Sequence, residues 1–556
     1  DPISDDLSTI LSLHSKQVLL NTYNKTCYTI GDALELLEQK VASLVENIIE
    51  IASDTKNGKG EEEKEIIFSQ FSSNPPLSNS LNWISDYLLP ALRQTHNEIT
   101  NLIQGLDGKY VPSGPSGAPT RGRPEVLPTG KNFYSVDIRA LPTETAWDIG
   151  RKAAETLIEN YIQENGEYPK ALGISVWGTA TMRTGGDDIA EALALLGVKP
   201  VWDRTARRVI DFEILPLTIL GRPRVDVTLR ISGFFRDAFA NLVDLFDRAV
   251  VSVSALDEPV QQNPLAAQVK QETDYWKKQG LDLSTAKQRS QYRIFGSKPG
   301  AYGAGLQGLI ESKNWVNDED LARAYINWSC YAYSNQAGEV QHFDSTGKNL
   351  SNTSSSLHSH WGKSAPEAFE HRLKNMEVVL HNQDNREHDL LDSDDYYQFQ
   401  GGLTLAVRSV RGQNPQIYFG DHSLPNKPRI RLLKEEIARV YRSRVINPKW
   451  IAGVMRHGYK GAFEMAATVD YLFAYDATTK CVENFMYQGI VEAYLIDSQT
   501  FQFILQHNPY ALRDIAERIL EASQRGLWHD ANIQTLEILR DIVHQAEAAI
   551  EGNTVV

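Results

Sequence analysis

The feature that most constrains the fold is the apolar run Leu172-Gly-Ile-Ser-Val-Trp177 together with the residues after it. A glycine-containing turn leads into Asp187–Leu196, whose apolar residues recur at amphipathic helical spacing. The spacing then predicts a strand over 199–202 and another over 225–231, leading into a helix over 237–256. Strand, helix and strand at this spacing imply a right-handed crossover and a parallel sheet. Ligands of such sheets sit outside the carboxyl ends of the strands, which puts Trp177-Gly-Thr-Ala-Thr-Met-Arg-Thr-Gly-Gly186 at the mouth.

The 556 residues suggest about three or four domains, at roughly 150 residues each. Residues 1–108 read as helical, with Leu34, Leu37, Val41, Leu44, Val45, Ile48 and Ile49 at helical spacing and Trp83, Ile84, Leu88 and Leu92 repeating it. The charged stretch 53–65 reads as a loop. Residues 109–131, with Pro-Ser-Gly-Pro-Ser-Gly at their centre, read as a linker or a loop lining a cleft. The α/β parallel-sheet domain is expected over 132–260, and a mixed domain over 261–430, with a second glycine-rich loop at 295–305 and a mobile Ser/Thr-rich stretch at 351–360. A helical region is expected over 431–556, closing with an amphipathic helix over 533–550. The fold class is therefore α/β and α mixed: multidomain, with a parallel-sheet α/β domain flanked by helical domains.

Composition and missing motifs exclude several functions. A formal net charge of −15 opposes general nucleic-acid binding, which needs a basic face. The three cysteines, Cys27, Cys330 and Cys481, lie far apart and suggest neither a disulfide framework nor a zinc knuckle, which fits a reducing cytoplasm. No apolar run approaches the ~20 residues that cross a bilayer, and no signal peptide opens the chain. The first residue is Asp1 rather than Met, so a processed chain or a piece of a longer one is expected. There is no phosphate loop, no Gly-x-Gly-x-x-Gly after the 172–177 strand and no Gly-x-Ser-x-Gly elbow, so neither ATP hydrolysis nor NAD binding is expected.

One stretch reads as a site. Residues 381–395 pack His381, His388, Glu387 and the aspartates Asp384, Asp389, Asp392, Asp394 and Asp395 into fifteen positions, with Arg386 the only basic residue among them. Imidazoles and carboxylates bind divalent transition ions and accept protons. The alternative is a buried carboxylate network that organises a loop. At the mouth, Arg183 beside a helix N-terminus suits a ligand carboxylate, unless Asp187 and Asp188 merely cap that helix. Trp177 offers a flat apolar wall or a core contact. His457, between Arg456 and Gly458 at a break between helices, is a further candidate, and His422 in Gly-Asp-His-Ser is a weaker one.

Residues 173–188, 221–237, 381–402 and 450–473 together resemble the large subunit of aerobic cobaltochelatase, in the family that includes the large, porphyrin-binding subunit of magnesium chelatase. The likeness runs from about residue 110 to 528. The family's upstream Gly-Lys-His-Gly-x-Leu-Glu-Trp motif is not found, so the chain is expected to correspond to the C-terminal part of that subunit. The resemblance implies ATP-dependent insertion of Co²⁺ into hydrogenobyrinic acid a,c-diamide, in cobalamin biosynthesis in the cytoplasm. Co²⁺ is then a substrate. ATP and Mg²⁺ belong to partners, an AAA+ ATPase subunit and an integrin-like metal-binding subunit. The alternatives are Mg²⁺ insertion into protoporphyrin IX and a tetrapyrrole-binding protein without catalysis.

On this reading His388, Asp392 and Asp395 hold the ion loosely, while His381 and Glu387 receive ring protons. His457 approaches from the other side, Arg183 steadies a peripheral carboxylate, and Trp177 and Tyr302 contact the ring.

Overall fold

The computed structural model describes residues 43–49, 75–115, 127–134, 137–334, 361–424 and 427–554. The expected helix residues Leu34, Leu37 and Val41, the 53–65 loop, Cys27 and the 351–360 stretch lie outside them. The chain forms two compact units, Asp1–Ser135 and Val136–Val556.

The first unit is mainly helical where described, including residues 43–49, Pro75–Trp83 and Asn97–Leu106. Regular structure also enters the Pro/Gly-rich stretch, against expectation. Ser113–Pro115 forms a short parallel strand with Asn132–Tyr134, because the backbone groups of the segment find a partner there.

The second unit is built on one eight-stranded sheet. In chain order its strands are β1 (Ala171–Val176), β2 (Asp226–Ile231), β3 (Ile294–Gly296), β4 (Tyr331–Tyr333), β5 (Trp361–Ser364), β6 (Val378–Gln383), β7 (Gln416–Asp421) and β8 (Arg429–Leu432). Their spatial order is β8-β7-β6-β1-β2-β3-β4-β5. The five central strands are parallel, and β8, β4 and β5 add antiparallel edges. The chain starts at β1, runs outward through β2 to β5, then returns to the other side of β1 with β6. The order therefore reverses between β1 and β6, and a crevice opens there at the carboxyl ends. The sheet takes strands from both 132–260 and 261–430, so the domain boundary expected near residue 260 runs through it.

Alternation along the strands sorts the core into two layers. On one face Leu172, Ile174, Val378 and Leu380 pack against α1 (Glu144–Asn165), α2 (Asp187–Leu196) and α3 (Ala240–Ser254). On the other, Val379 and Phe419 pack against α4 (Asp318–Ser329), α5 (Gly402–Arg411) and α6 (Tyr459–Thr479). Helix α2 matches its expected bounds but is buried on every side, sandwiched between α1 and the sheet, instead of showing an exposed polar face. Its acidic residues must then find internal partners.

Two further expectations are corrected. The 199–202 strand exists as Val198–Trp202, but it pairs antiparallel with Val209–Ile214 outside the main sheet. The crossover from β1 through α2 therefore lands on β2. The 237–256 helix is two helices, Gly233–Ala238 and α3, broken at Phe239, whose backbone leaves the helical region at φ −126° and ψ 43°.

Gly402 opens α5 directly after the site segment, where a Cβ would meet the ring of fully buried Tyr325. Gly402→Ala should cost about 1–3 kcal/mol through overpacking, read as a lower urea midpoint at unchanged m-value.

Candidate functional site

The site grows from the crevice between β1 and β6. His381 pairs in register with Ser175 and points to the face that carries Val379. Trp177, the residue after β1, reaches across the crevice, its Nε1–H donating to His381 Nδ1 at 3.5 Å. Phe399 lies 4.3 Å from the Trp177 ring and Tyr396 stands edge-on to His381 at 5.3 Å. The buried Arg230 guanidinium, 4.4 Å from the Phe399 centroid, backs this floor. Trp177 and Tyr396 are half-buried and Phe399 is buried, so an apolar ligand would meet the first two.

His381 is fully buried, and its Nε2 has no hydrogen-bond partner. Burial pushes its pKa down to about 3, because a charged imidazole would lose its hydration there. A buried imidazole held neutral, with its Nδ1 taken up by the Trp177 N–H, is a weak proton acceptor.

Above the floor, ion pairs fold the acidic segment down. Arg183 forms a two-pronged pair with Asp384 at 2.6 and 2.7 Å, so its guanidinium is engaged rather than open to a ligand carboxylate. Arg444 grips Asp389 at 2.6 and 2.7 Å and lies 3.5 Å from Asp392. Arg386 bridges Asp421 and Glu436. The acidic run, which holds a single arginine of its own, is thus offset by arginines from distant elements. For Asp384 and Asp389 the loop-organising alternative is what the geometry shows.

His388, Asp392 and Asp395 are exposed on this rim. The Asp392 carboxylate accepts from the Asp389 backbone N–H at 2.7 Å. Partial burial raises the pKa of both Asp392 and Asp395, helped by the neighbouring Asp389 and Asp394 charges respectively. Glu387 is also exposed, with its backbone N–H donated to Asn385 Oδ1.

Two candidates take no part in the ion pairs that hold the acidic segment. Tyr302 is exposed, donates to Asp237 Oδ2 at 2.8 Å and lies over Arg236, which fixes it near the end of β2. His457 occupies the expected helix break, an exposed turn before α6 at Gly458, and takes no part in the ion pairs that hold the 381–402 segment.

On the opposite face of β6, Asp187, Asp188 and His422, which the sequence offers separately, come together in one group. Asp187 Oδ1 accepts from the Asp188 backbone N–H at 3.0 Å, so the capping alternative holds for Asp187, and the N-terminus of α2 is not open to an anion. Thr184 Oγ1 accepts from the Gly186 and Asp187 N–H groups, and both carboxylates turn inward. They meet Glu191, Asn382 and His422, all buried. His422 Nδ1 is 2.7 Å from Asp187 Oδ2, and Asn382 Nδ2 donates to Asp188 at 3.0 Å and Glu191 at 2.6 Å. Burial alone would lower the His422 pKa, but the Asp187 hydrogen bond and the surrounding carboxylates raise it to about 9. Burial raises Glu191 to about 7. The sequence signal was an acidic pair after Gly-Gly at a strand mouth, matched by a histidine at the end of another strand.

The CobN/magnesium chelatase family model matches residues 2–535. The chain belongs to that family. It is 57% identical over 433 residues to the aerobic cobaltochelatase subunit CobN of Pseudomonas aeruginosa, covering 78% of this chain and 33% of that protein. Identity to the Sinorhizobium counterpart is 48%, covering 95% of this chain and 38% of that one. The corresponding magnesium-chelatase subunit of Chlorobaculum parvum is a more distant family relative, at 32% identity over 84% of this chain and 34% of its own length. The catalytic subunit of cobaltochelatase from Mycobacterium tuberculosis has a similar structure, with TM-score 0.78 and 42% identity, over 89% of this chain and 40% of that one. The chain therefore spans between 33% and 40% of the length of these family members.

The buried state of His381 makes a pH prediction. Its folded pKa of about 3 lies below the ordinary 6.5, so the unfolded chain takes up a proton that the folded chain refuses. The corresponding stability is complete above pH 6.5 and falls as pH drops towards 3, by at most about 1.4 kcal/mol per unit. Urea midpoints of wild type and His381→Asn should therefore converge between about pH 6.5 and 5, whereas a constant offset would mean that His381 protonates freely.

Proposed function

We propose that this chain is the C-terminal wall of the ring- and metal-handling cleft of an ATP-dependent cobaltochelatase, which inserts Co²⁺ into hydrogenobyrinic acid a,c-diamide in cobalamin biosynthesis. The observation that carries the reading is the crevice between β1 and β6. A half-buried aromatic surface, Trp177 and Tyr396, meets a rim of metal-ligand-type side chains there, in a chain far closer to cobaltochelatase subunits than to the magnesium-type relative. The ATPase and an integrin-like metal-binding protein are separate subunits in this proposal, and ATP and Mg²⁺ reside on them. That agrees with the absence of a phosphate loop from the sequence. Among the described residues no helix is long and apolar enough to cross a membrane; a cytoplasmic location is part of the proposal.

Metal insertion requires Co²⁺ to shed water, the macrocycle to bend and ring N–H protons to leave. Trp177 and Tyr396 offer the flat surface against which a ring packs. His388, Asp392 and Asp395 offer the ion an imidazole and two carboxylates. Asp392 and Asp395 have raised pKa values, and Arg444 draws on the Asp392 charge, so these carboxylates hold a cation loosely and exchange protons readily. Loose binding suits an ion that must be passed on. With His381 neutral and buried, proton acceptance falls to these rim carboxylates and to Glu387.

Cobalt insertion by the complete enzyme, assembled from the full-length subunit and its partners, tests this. His388→Ala and Asp392→Asn should each lower turnover by at least about 100-fold while the chain still folds. Undiminished turnover in both variants would remove these residues from the reaction.

A further inference from the structure

The buried group behind β6 is chemically independent of the crevice. Asn382 follows His381, and strand alternation sends the two side chains to opposite faces of the sheet. Asp187, Asp188, Glu191 and His422 are each no more than 3% exposed. Three carboxylates therefore surround one imidazole, which hydrogen-bonds to Asp187 and lies 3.9 Å from Glu191. Burying such excess negative charge is costly unless protons or a cation compensate it.

Several polar atoms here are unused. Asp188 Oδ2, Glu191 Oε1 and His422 Nε2 have no hydrogen-bond partner, although protein interiors rarely leave such atoms unpaired. His422 Nε2 is directed towards Glu191, 3.9 Å from its Oε2. One ligand atom from each of Asp187, Asp188 and His422 lies within 4.8 Å of the other two. Metal–ligand bonds of about 2.0–2.2 Å hold neighbouring ligands roughly 3–4 Å apart, so the group needs to contract by only about 1 Å to close on an ion.

We propose that Asp187, Asp188 and His422, with Glu191 beside them, form a buried site for a divalent first-row transition cation, separate from the crevice between β1 and β6. The imidazole favours an ion of the zinc or cobalt type over magnesium or calcium. Asn382 holds the Asp188 and Glu191 carboxylates in place through its amide. Because α2 and the residue after β7 carry the ligands, and Asn382 of β6 holds two of the carboxylates, the ion would tie the helix behind the crevice to the strands beside it. Cation binding displaces the protons held by the metal-free group, so it is accompanied by proton release.

The test uses the chain freed of metal by chelator dialysis and titrated with Co²⁺ alone. Bound metal is counted after gel filtration, and imidazole ligation is followed by visible d–d absorption and by the paramagnetically shifted histidine N–H resonance. The expected result is one retained ion per chain, with a single shifted histidine. Asp188→Asn and His422→Gln should each weaken binding at least tenfold, while His544→Ala, at an exposed position, leaves it unchanged. The wild-type stoichiometry and histidine signal decide the matter if a variant fails to fold. Absence of a retained ion from the folded wild type, or loss of binding only in the His388 and Asp392 variants, would overturn the site. Those outcomes are separable from the turnover assay, which reads the rim alone.

Discussion

The architecture depends on strand β6 lying beside β1, where the order of the sheet reverses. That position puts His381 and Asn382, consecutive residues, on opposite faces of one buried strand. His381 enters an aromatic floor that dehydrates it. Asn382 enters an acidic group that it holds by hydrogen bonds. Both faces belong to packed layers, so neither side chain can turn away without opening a core. The crevice and the group behind it are products of one topological fact.

Electrostatics follows from that placement. The acidic segment after β6 carries too much negative charge to lie against the sheet unaided, and two arginines from elsewhere hold it there. Arg183 comes from the short helix after β1 and Arg444 from the helices after β8. Each uses its planar fork on a single carboxylate, which fixes direction as well as neutralising charge. What remains exposed on the rim, His388, Asp392 and Asp395, is the part of the cluster not consumed in folding. That remainder is the chemically available part.

Much of this was legible in the sequence for physical reasons. The apolar run at 172–177, the glycine-bounded helix Asp187–Leu196 and the 225–231 strand are local patterns, and the sheet they imply is present with its mouth where expected. Regular structure around 199–202 was also legible, but its partner was not, because pairing is decided by residues outside the strand itself. The 381–395 cluster stands out by its density, yet its division into ion-paired and exposed carboxylates depends on Arg183 and Arg444, which composition within the run cannot reveal. Arg183 reads as open to a ligand because its acceptor, Asp384, is identified only by the fold. The group around His422 was illegible for the same reason: its members come from α2, β6 and the end of β7, and only the folded chain buries their charges side by side.

The central claim is that the crevice between β1 and β6 recognises a corrinoid ring through Trp177. Fluorescence-quenching titration of wild type and Trp177→Phe, with hydrogenobyrinic acid a,c-diamide and with protoporphyrin IX, tests it most directly. The account predicts binding of the corrinoid at least about tenfold tighter than the porphyrin, equivalent to roughly 1.4 kcal/mol, with most of the quenching lost in the variant. Preference for the porphyrin, or quenching unaffected by loss of Trp177, would contradict it.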